Sequence, residues 1–233
     1  MSRKRKQRAF GLSDILSYNP TVLPFEGEWR ESFGCPELTG TWLIWGHSGN
    51  GKTRFALQLA KYLCRFCKVV YNSLEEGLSL SLQKAIVDTS FNEVRSRFTL
   101  LDKADIETLK AHLRRQRSAK VVFIDSLQYT GMVYKDYTAL KDEFRDKLFV
   151  IISHASGRDP RGSVAVTVRY DANVKIYVDK FKAYPTSRYG GGAPYIIWKE
   201  LYLQEIQDRA QLVRTDCAPG AHPLRTVEEI EEY

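Results

Sequence analysis

An α/β fold, with a mostly parallel central sheet flanked by helices and late antiparallel edge strands, is what this 233-residue chain predicts. Three observations carry that expectation. A glycine-rich turn joins the apolar run Thr41-Trp42-Leu43-Ile44-Trp45 to an amphipathic segment that begins at Lys52. From there to about residue 153, short β-rich apolar runs alternate with segments of helical period. The last third changes character, with runs rich in β-branched and aromatic residues punctuated by Gly190-Gly191-Gly192.

The turn itself is Gly46-His47-Ser48-Gly49-Asn50-Gly51-Lys52-Thr53, which spells G-x-x-x-x-G-K-T, the P-loop. Its glycines let successive backbone N–H groups point inward at a β-phosphate, and the next helix adds the positive end of its dipole. Lys52 reaches the β- and γ-phosphates in such a loop, and the Thr53 hydroxyl ligates Mg²⁺. These eight residues and the following Arg54 are the candidate nucleotide contacts, and ATP with Mg²⁺ is the expected cofactor pair. A glycine turn with no ligand is the bland alternative; the strand before it and the helix after it argue against that.

Composition bounds the rest. Hydrophobic content of 43% is ample for a sizeable core. No apolar run approaches the ~20 residues of a membrane span, and the basic N-terminus lacks a following apolar stretch, so a soluble cytoplasmic protein is expected. Cys35, Cys64, Cys67 and Cys217 are too few and scattered for a disulfide framework. Cys64 and Cys67 form C-x-x-C, which invites a zinc or redox reading. They fall inside the predicted post-loop helix with no second ligand pair at suitable spacing, and His222 is isolated, so plain thiols are expected. The formal charge is +7. Five cations lie in the first eight residues and Glu228, Glu229, Glu231 and Glu232 end the chain, so the body between is basic too. A basic body over a nucleotide site favours a nucleic-acid partner, although lysines and arginines also simply solvate helix faces.

Read in order, residues 1–10 are expected to form a disordered basic tail and residues 11–40 an irregular lead-in that lies over the core, with turn signals at Asn19-Pro20, Pro24, Gly27, Gly34 and Pro36. The core is expected over 41–206. It begins with strand 41–45 and a helix near 52–66, where Phe55, Ala56, Leu59, Ala60 and Leu63 repeat at helical spacing. Strand 69–74 follows, then helical segments around 76–96, a strand near 97–101 and a helix at 104–117 that ends in the basic cluster Arg114-Arg115-Gln116-Arg117. Strand 120–125, a helix near 136–146 and strand 148–153 come next. Late strands are expected at 164–169, 174–179 and 195–199, with a loop-like C-terminal tail over 207–233 and no internal repeat.

Two further patterns complete a candidate site. Val121-Val122-Phe123-Ile124-Asp125-Ser126 is a hydrophobic strand ending in aspartate, where Asp125 is expected to hold Mg²⁺ through water. Any buried strand can end in Asp; following a P-loop gives this one its meaning. Asn72-Ser73-Leu74-Glu75-Glu76-Gly77 supplies two carboxylates at another strand end. Hydrolysis needs a group that orients the attacking water opposite the leaving diphosphate. Glu75 is the first candidate and Glu76 the second, against the alternative that both favour a helix first turn.

The segments GHSGNGKT, NSLEEG, VVFIDSLQ and IISHASG, in that order, resemble the RecA-like P-loop ATPases, and within them the branch of DnaB-type replicative helicases and the bacterial RadA repair protein. The resemblance spans about residues 38–200 and implies several roles. The catalytic glutamate of that branch, in its S-L-E context, maps onto Glu75. Asp125-Ser126-Leu127-Gln128 matches its magnesium strand, and Ser153-His154 its γ-phosphate sensor. Loops lining a central channel would fall at about 129–138, with Tyr129, Tyr134, Lys135 and Tyr137, and at 155–163, with Gly157, Arg158, Arg161 and Gly162. The tyrosines of the first loop read equally well as core or surface filler. Asp179-Lys180-Phe181-Lys182 and Ser187-Arg188-Tyr189-Gly190 resemble the late elements whose cations act on a neighbouring subunit's phosphate. Lys180, Lys182 and Arg188 read equally as solvated cations. The accessory domains of both relatives are missing, so a bare ATPase core is expected.

The function this implies is a DNA-dependent ATPase of replication, recombination or repair, assembled as a ring or filament on single-stranded DNA and served by a loader or replication partner protein. Helicase activity is one form of that expectation. An ATP-dependent adaptor or target-selector that unwinds nothing is the second class, and a small-molecule P-loop kinase the third; the glutamate after the second strand argues against the kinase.

Overall fold

The computed structural model describes residues 9–216, with backbone alone for 95 and 208–216. The expected basic tail falls on residues outside this range up to residue 8, as does the end of the chain from residue 217.

The sheet is built around four strands that carry almost no exposed surface: β1 (Gly40–Gly46), β2 (Val69–Ser73), β4 (Val121–Asp125) and β5 (Leu148–Ser156). Strands covered on both faces cannot alternate apolar with polar residues, which is why these read as unbroken apolar runs. β3 (Phe98–Asp102), β6 (Asp159–Pro160), β7 (Val174–Asp179), β8 (Lys182–Ser187) and β9 (Tyr195–Ile196) complete a nine-stranded sheet. Its order is β3-β2-β4-β5-β1-β7-β8-β9, with β6 paired to β5 off that path. From β3 to β7 the pairings are parallel; β7–β8, β8–β9 and β5–β6 are antiparallel.

Alternation of side chains divides the core into two layers. Trp42, Ile44, Tyr71, Phe123 and Val150 face one side, against α3 (Lys52–Leu63) and Leu82 of α4 (Leu80–Asp88). Leu43, Trp45, Val70, Val122 and Ile151 face the other, against α5 (Ile106–Leu113), α6 (Tyr134–Glu143) and α7 (Ser163–Asp171). The lead-in is less irregular than expected. It holds α1 (Leu12–Leu16), α2 (Gly27–Phe33) and a bridge between Val22 and Glu37. Leu23, Phe25 and Phe33 are buried in the first layer, with Phe25 edge-on to Tyr62 at 4.9 Å and Phe33 stacked on Trp42 at 5.8 Å.

Several expected elements are corrected. Residues 164–169 are not a strand but lie within helix α7. Its β-branched composition suggested a strand, yet Ala165, Val168 and Ala172 are buried at i, i+3 and i+7, a helical stripe against the sheet. Strand β8 is additional to the expected strands, its pattern being masked by Pro185; the proline is tolerated opposite Ile176 near the sheet's antiparallel edge. The 195–199 run forms only the two-residue β9. The expected tail loop from 207 is helical through Asp216, as part of α8 (Lys199–Asp216), whose Glu, Gln, Leu and Arg residues are strong helix formers. The helical stretch near 76–96 breaks into α4 and a 3-10 segment, Phe91–Arg97. No helix among the described residues is long and apolar enough to cross a membrane.

Candidate active site

All the parallel strands point their C-terminal ends the same way, and the sequence patterns singled out at β1, β2, β4 and β5 therefore meet along one edge. A cleft of about 310 Å³ opens there, lined by Ser48, Gly49, Gly51, Lys52, Thr53, Arg54, Glu75, Glu76, Asp125, Phe181 and Trp198.

The loop between β1 and α3 forms the cleft floor. Gly51 adopts φ 94°, a left-handed conformation that opens the helix N-terminus toward the cleft. A side chain at Gly46 would put its Cβ 2.2 Å from the Val178 carbonyl, so the loop can leave β1 there only as glycine. Lys52 Nζ donates to the His47 carbonyl at 2.8 Å, which curls the ammonium over the loop. Burial lowers the Lys52 pKa, while Glu75 and Asp125 oppose that shift.

Three loop residues expected to contact nucleotide do not line the cleft. Gly46 ends β1. The His47 ring reaches outward to the Gly157 carbonyl at 3.0 Å, and the Asn50 amide donates to Asp179 at 2.9 Å. Their side chains brace the loop from its two sides.

Asp125 is 6% exposed at the end of β4. Burial raises its pKa to about 6; the Tyr71 hydroxyl, which donates to its Oδ2, opposes the rise. Asp125 and the Thr53 hydroxyl face one cleft, a hard-oxygen pair suited to Mg²⁺ with water filling the remaining positions. Glu75 stands across the cleft, its Oε2 accepting from Ser126 Oγ at 3.2 Å and lying 2.9 Å from His154 Nε2. Glu76 is turned toward α4, where its Oε2 accepts from Ser81 at 2.8 Å and Ser79 at 3.3 Å. His154 is joined in turn to Gln128, whose Oε1 accepts from the His154 N–H at 3.2 Å and whose Nε2 donates to Ser153 Oγ and the Arg161 carbonyl.

The late cations are placed differently from one another. Lys180 sits at the turn between β7 and β8 and pairs with Glu205 at 2.7 Å. Lys182 Nζ donates to the Tyr202 hydroxyl at 3.3 Å. Arg188 follows Ser187, which pairs with Val174 at the start of β7, so it lies at the opposite end of the sheet from the loop. None of the three lines the cleft. The two expected loops are also structured. Residues 155–163 include the β5–β6 hairpin, with Arg158 and Arg161 exposed. Residues 129–138 run into α6, where Lys135 and Tyr134 are exposed but Tyr137 is buried, its hydroxyl donating to Asp171 and accepting from Thr41 Oγ1 at 3.0 Å, and so cannot stack a base.

Sequence reasoning missed the far end of the cleft. Trp198, just before α8, has the Arg54 guanidinium 3.7 Å over its ring, and Phe181 lies edge-on to it at 6.2 Å. Only long-range folding brings these together, and no motif announces them. The two cysteines of C-x-x-C lie at and beyond the end of α3. The Cys64 thiol donates to the Arg97 carbonyl, and burial pushes the Cys64 and Cys67 thiols up to about 12 and about 11, which disfavours the thiolate that a metal needs.

This sheet order and P-loop edge define a RecA-like P-loop fold. The chain is similar to the crystal structure of a KaiC-like protein from Pyrococcus horikoshii at TM-score 0.56 and 18% identity, over 76% of this chain and 93% of that one. It is similar also to the flagellar accessory protein FlaH from Methanocaldococcus jannaschii, at TM-score 0.55 and 14% identity, over 76% and 94%. No protein-family model matches the sequence, and no curated protein does.

Proposed function

We propose that the protein is a DNA-dependent ATPase of the RecA/DnaB-like type, acting as a ring or filament on single-stranded DNA in replication, recombination or repair. The observation that supports it most is the position of Glu75, held by Ser126 and His154 across one cleft from Lys52, Thr53 and Asp125.

The chemistry follows from that arrangement. Backbone amides of the loop and Lys52 bind the phosphates. Mg²⁺, held by Thr53 and Asp125, would neutralise charge on the β- and γ-oxygens. Glu75 orients water and accepts its proton, with Ser126 and His154 fixing the carboxylate. Phe181, Trp198 and Arg54 form the flat end of the cleft, suited to a nucleobase and ribose. Lys180 and Lys182 act, on this reading, on a neighbouring subunit's nucleotide, whereas Arg188, at the other end of the sheet, is left out of that role.

Coupling to DNA is favoured by one chain of contacts. Glu75 touches His154, His154 touches Gln128, and Gln128 holds the Arg161 carbonyl. His47 of the loop touches Gly157 of the same hairpin. Events at the terminal phosphate therefore reach the exposed cations Arg158 and Arg161, and Gln128 ties that hairpin to the turn that carries exposed Tyr129, whose ring lies 6.2 Å from that of His154.

The test is ATP turnover with and without single-stranded DNA at low salt. Stimulation of about tenfold is expected, with loss of that stimulation in Arg158→Ala/Arg161→Ala. Turnover indifferent to DNA would overturn the coupling, and strand displacement on a forked duplex separates a helicase from an adaptor. Trp198→Ala is expected to weaken ATP binding by about tenfold while leaving inorganic tripolyphosphate binding unchanged, since base stacking contributes roughly 1–3 kcal/mol. Calorimetric titration of both ligands measures it.

A further inference from the structure

The basic cluster at the end of α5 has no part in the nucleotide site, yet the fold surrounds it with more cations. Three neighbouring parallel strands are each entered through one: Lys68 precedes β2, Arg97 precedes β3 and Arg117 stands shortly before β4. Because β3, β2 and β4 are adjacent and parallel, these residues converge at the sheet end opposite the loop. With His112 and Arg115 they line a groove of about 210 Å³, whose other walls include Ser96, Thr99, Gln116 and Ser118 and which, among the described residues, holds no carboxylate.

Several details concentrate positive potential there. Cations on the flanks are neutralised, Arg114 by Glu143 and Lys120 by Asp146, both within ion-pair distance. Among the described residues no carboxylate neutralises those lining the groove: Lys68 donates to the Arg117 carbonyl, and Arg97 to the carbonyls of Cys64 and Arg65. Lys147, 5% exposed, lies beneath and donates to Ser118 Oγ at 3.0 Å and the Ala119 carbonyl at 2.7 Å, both part of the groove wall. Burial lowers the His112 pKa, and Arg115 and Lys147 lower it further, as expected in a positive field. The negative end of the α5 dipole accounts for a cation or two near Arg115. It does not account for Lys68 and Arg97, which come from other elements.

We propose that this groove binds the phosphodiester backbone of a nucleic-acid strand, as a second contact at the end of the protein away from the nucleotide cleft. Arginine forks match pairs of phosphate oxygens, and Ser96, Thr99 and Gln116 supply neutral hydrogen-bonding groups between them. The open walls offer little apolar surface to a folded protein partner. The proposal stands independently of the hydrolytic reading, because no groove residue lines the nucleotide cleft.

The experiment is salt-dependent binding of a labelled single-stranded oligonucleotide of about 20 residues to the full chain, followed by fluorescence anisotropy. Lys68→Gln/Arg115→Gln/Arg117→Gln is expected to bind about tenfold more weakly, with the log–log salt slope shallower by about 2, near 0.7 per lost cation. Its ATP turnover without DNA should equal that of the parent, which reports an intact fold. Unchanged affinity and slope overturn the proposal. Should the triple variant be unstable, Arg115→Glu alone, at an exposed position, must still weaken binding, and failure to do so overturns it equally. Inorganic phosphate is titrated in parallel by calorimetry. Groove-dependent phosphate binding with oligonucleotide binding unaffected would overturn the strand assignment in favour of a small-anion site.

Discussion

Glu75→Gln is expected to lower steady-state phosphate release by about 10²–10⁴-fold while leaving nucleotide affinity within a few-fold of the parent. The amide keeps the side chain's shape and can still meet Ser126 and His154, but it cannot take a proton from water. Affinity survives because the phosphates are gripped elsewhere, by loop amides and Lys52. Glu76→Gln is the internal control. Its carboxylate is already engaged by Ser79 and Ser81 at the start of α4, so turnover should fall little. If turnover persists in Glu75→Gln and collapses in Glu76→Gln, the two assignments exchange.

Lys52→Ala is expected to reduce nucleotide affinity by at least about 100-fold, read by titration with a fluorescent ATP analogue. Lys52 is the cation facing both Glu75 and Asp125 across the cleft, and those carboxylates favour its charge against the burial that opposes it. Its removal takes from the loop the ammonium that meets the terminal phosphates and offsets Glu75 and Asp125, so an incoming polyanion faces those acids more directly. Asp125 would also become harder to ionise, since Lys52 is one of the groups lowering its pKa. Intact affinity in this variant would contradict the placement of triphosphate on the loop.

The parts of the fold legible in the sequence were those set by local pattern. β1, β2, β4 and β5 are buried on both faces and so are written as apolar runs, and α3 follows the loop at helical period. The elements misread were set by tertiary context. α7 is composed like a strand and is helical because Ala165 and Val168 meet the sheet in that form; β8 carries a proline that only an antiparallel edge position allows. The site divides the same way. Lys52, Thr53, Glu75 and Asp125 each end or follow a parallel strand, so one topological rule gathers them. Arg188 joins Lys180 and Lys182 in the expected trans role only through the resemblance of Ser187-Arg188-Tyr189-Gly190 to a late element of the family; β8 runs antiparallel to β7 and carries it to the far end. Phe181 and Trp198 reach the cleft, and Tyr71 reaches Asp125 from the core behind it, from elements whose spacing says nothing about it.

The glycine-rich turn is clasped between two hairpins. On one shoulder the Asn50 amide holds Asp179, the Phe181 N–H meets the Asn50 carbonyl at 3.2 Å, and the Phe181 ring lies beside Gly51. On the other, His47 holds Gly157. A receptor braced in this way loses little conformational entropy when an anion arrives, so more of the contact energy is left for affinity. The same bracing makes the turn a junction: a displacement of either hairpin is passed to the loop through these contacts.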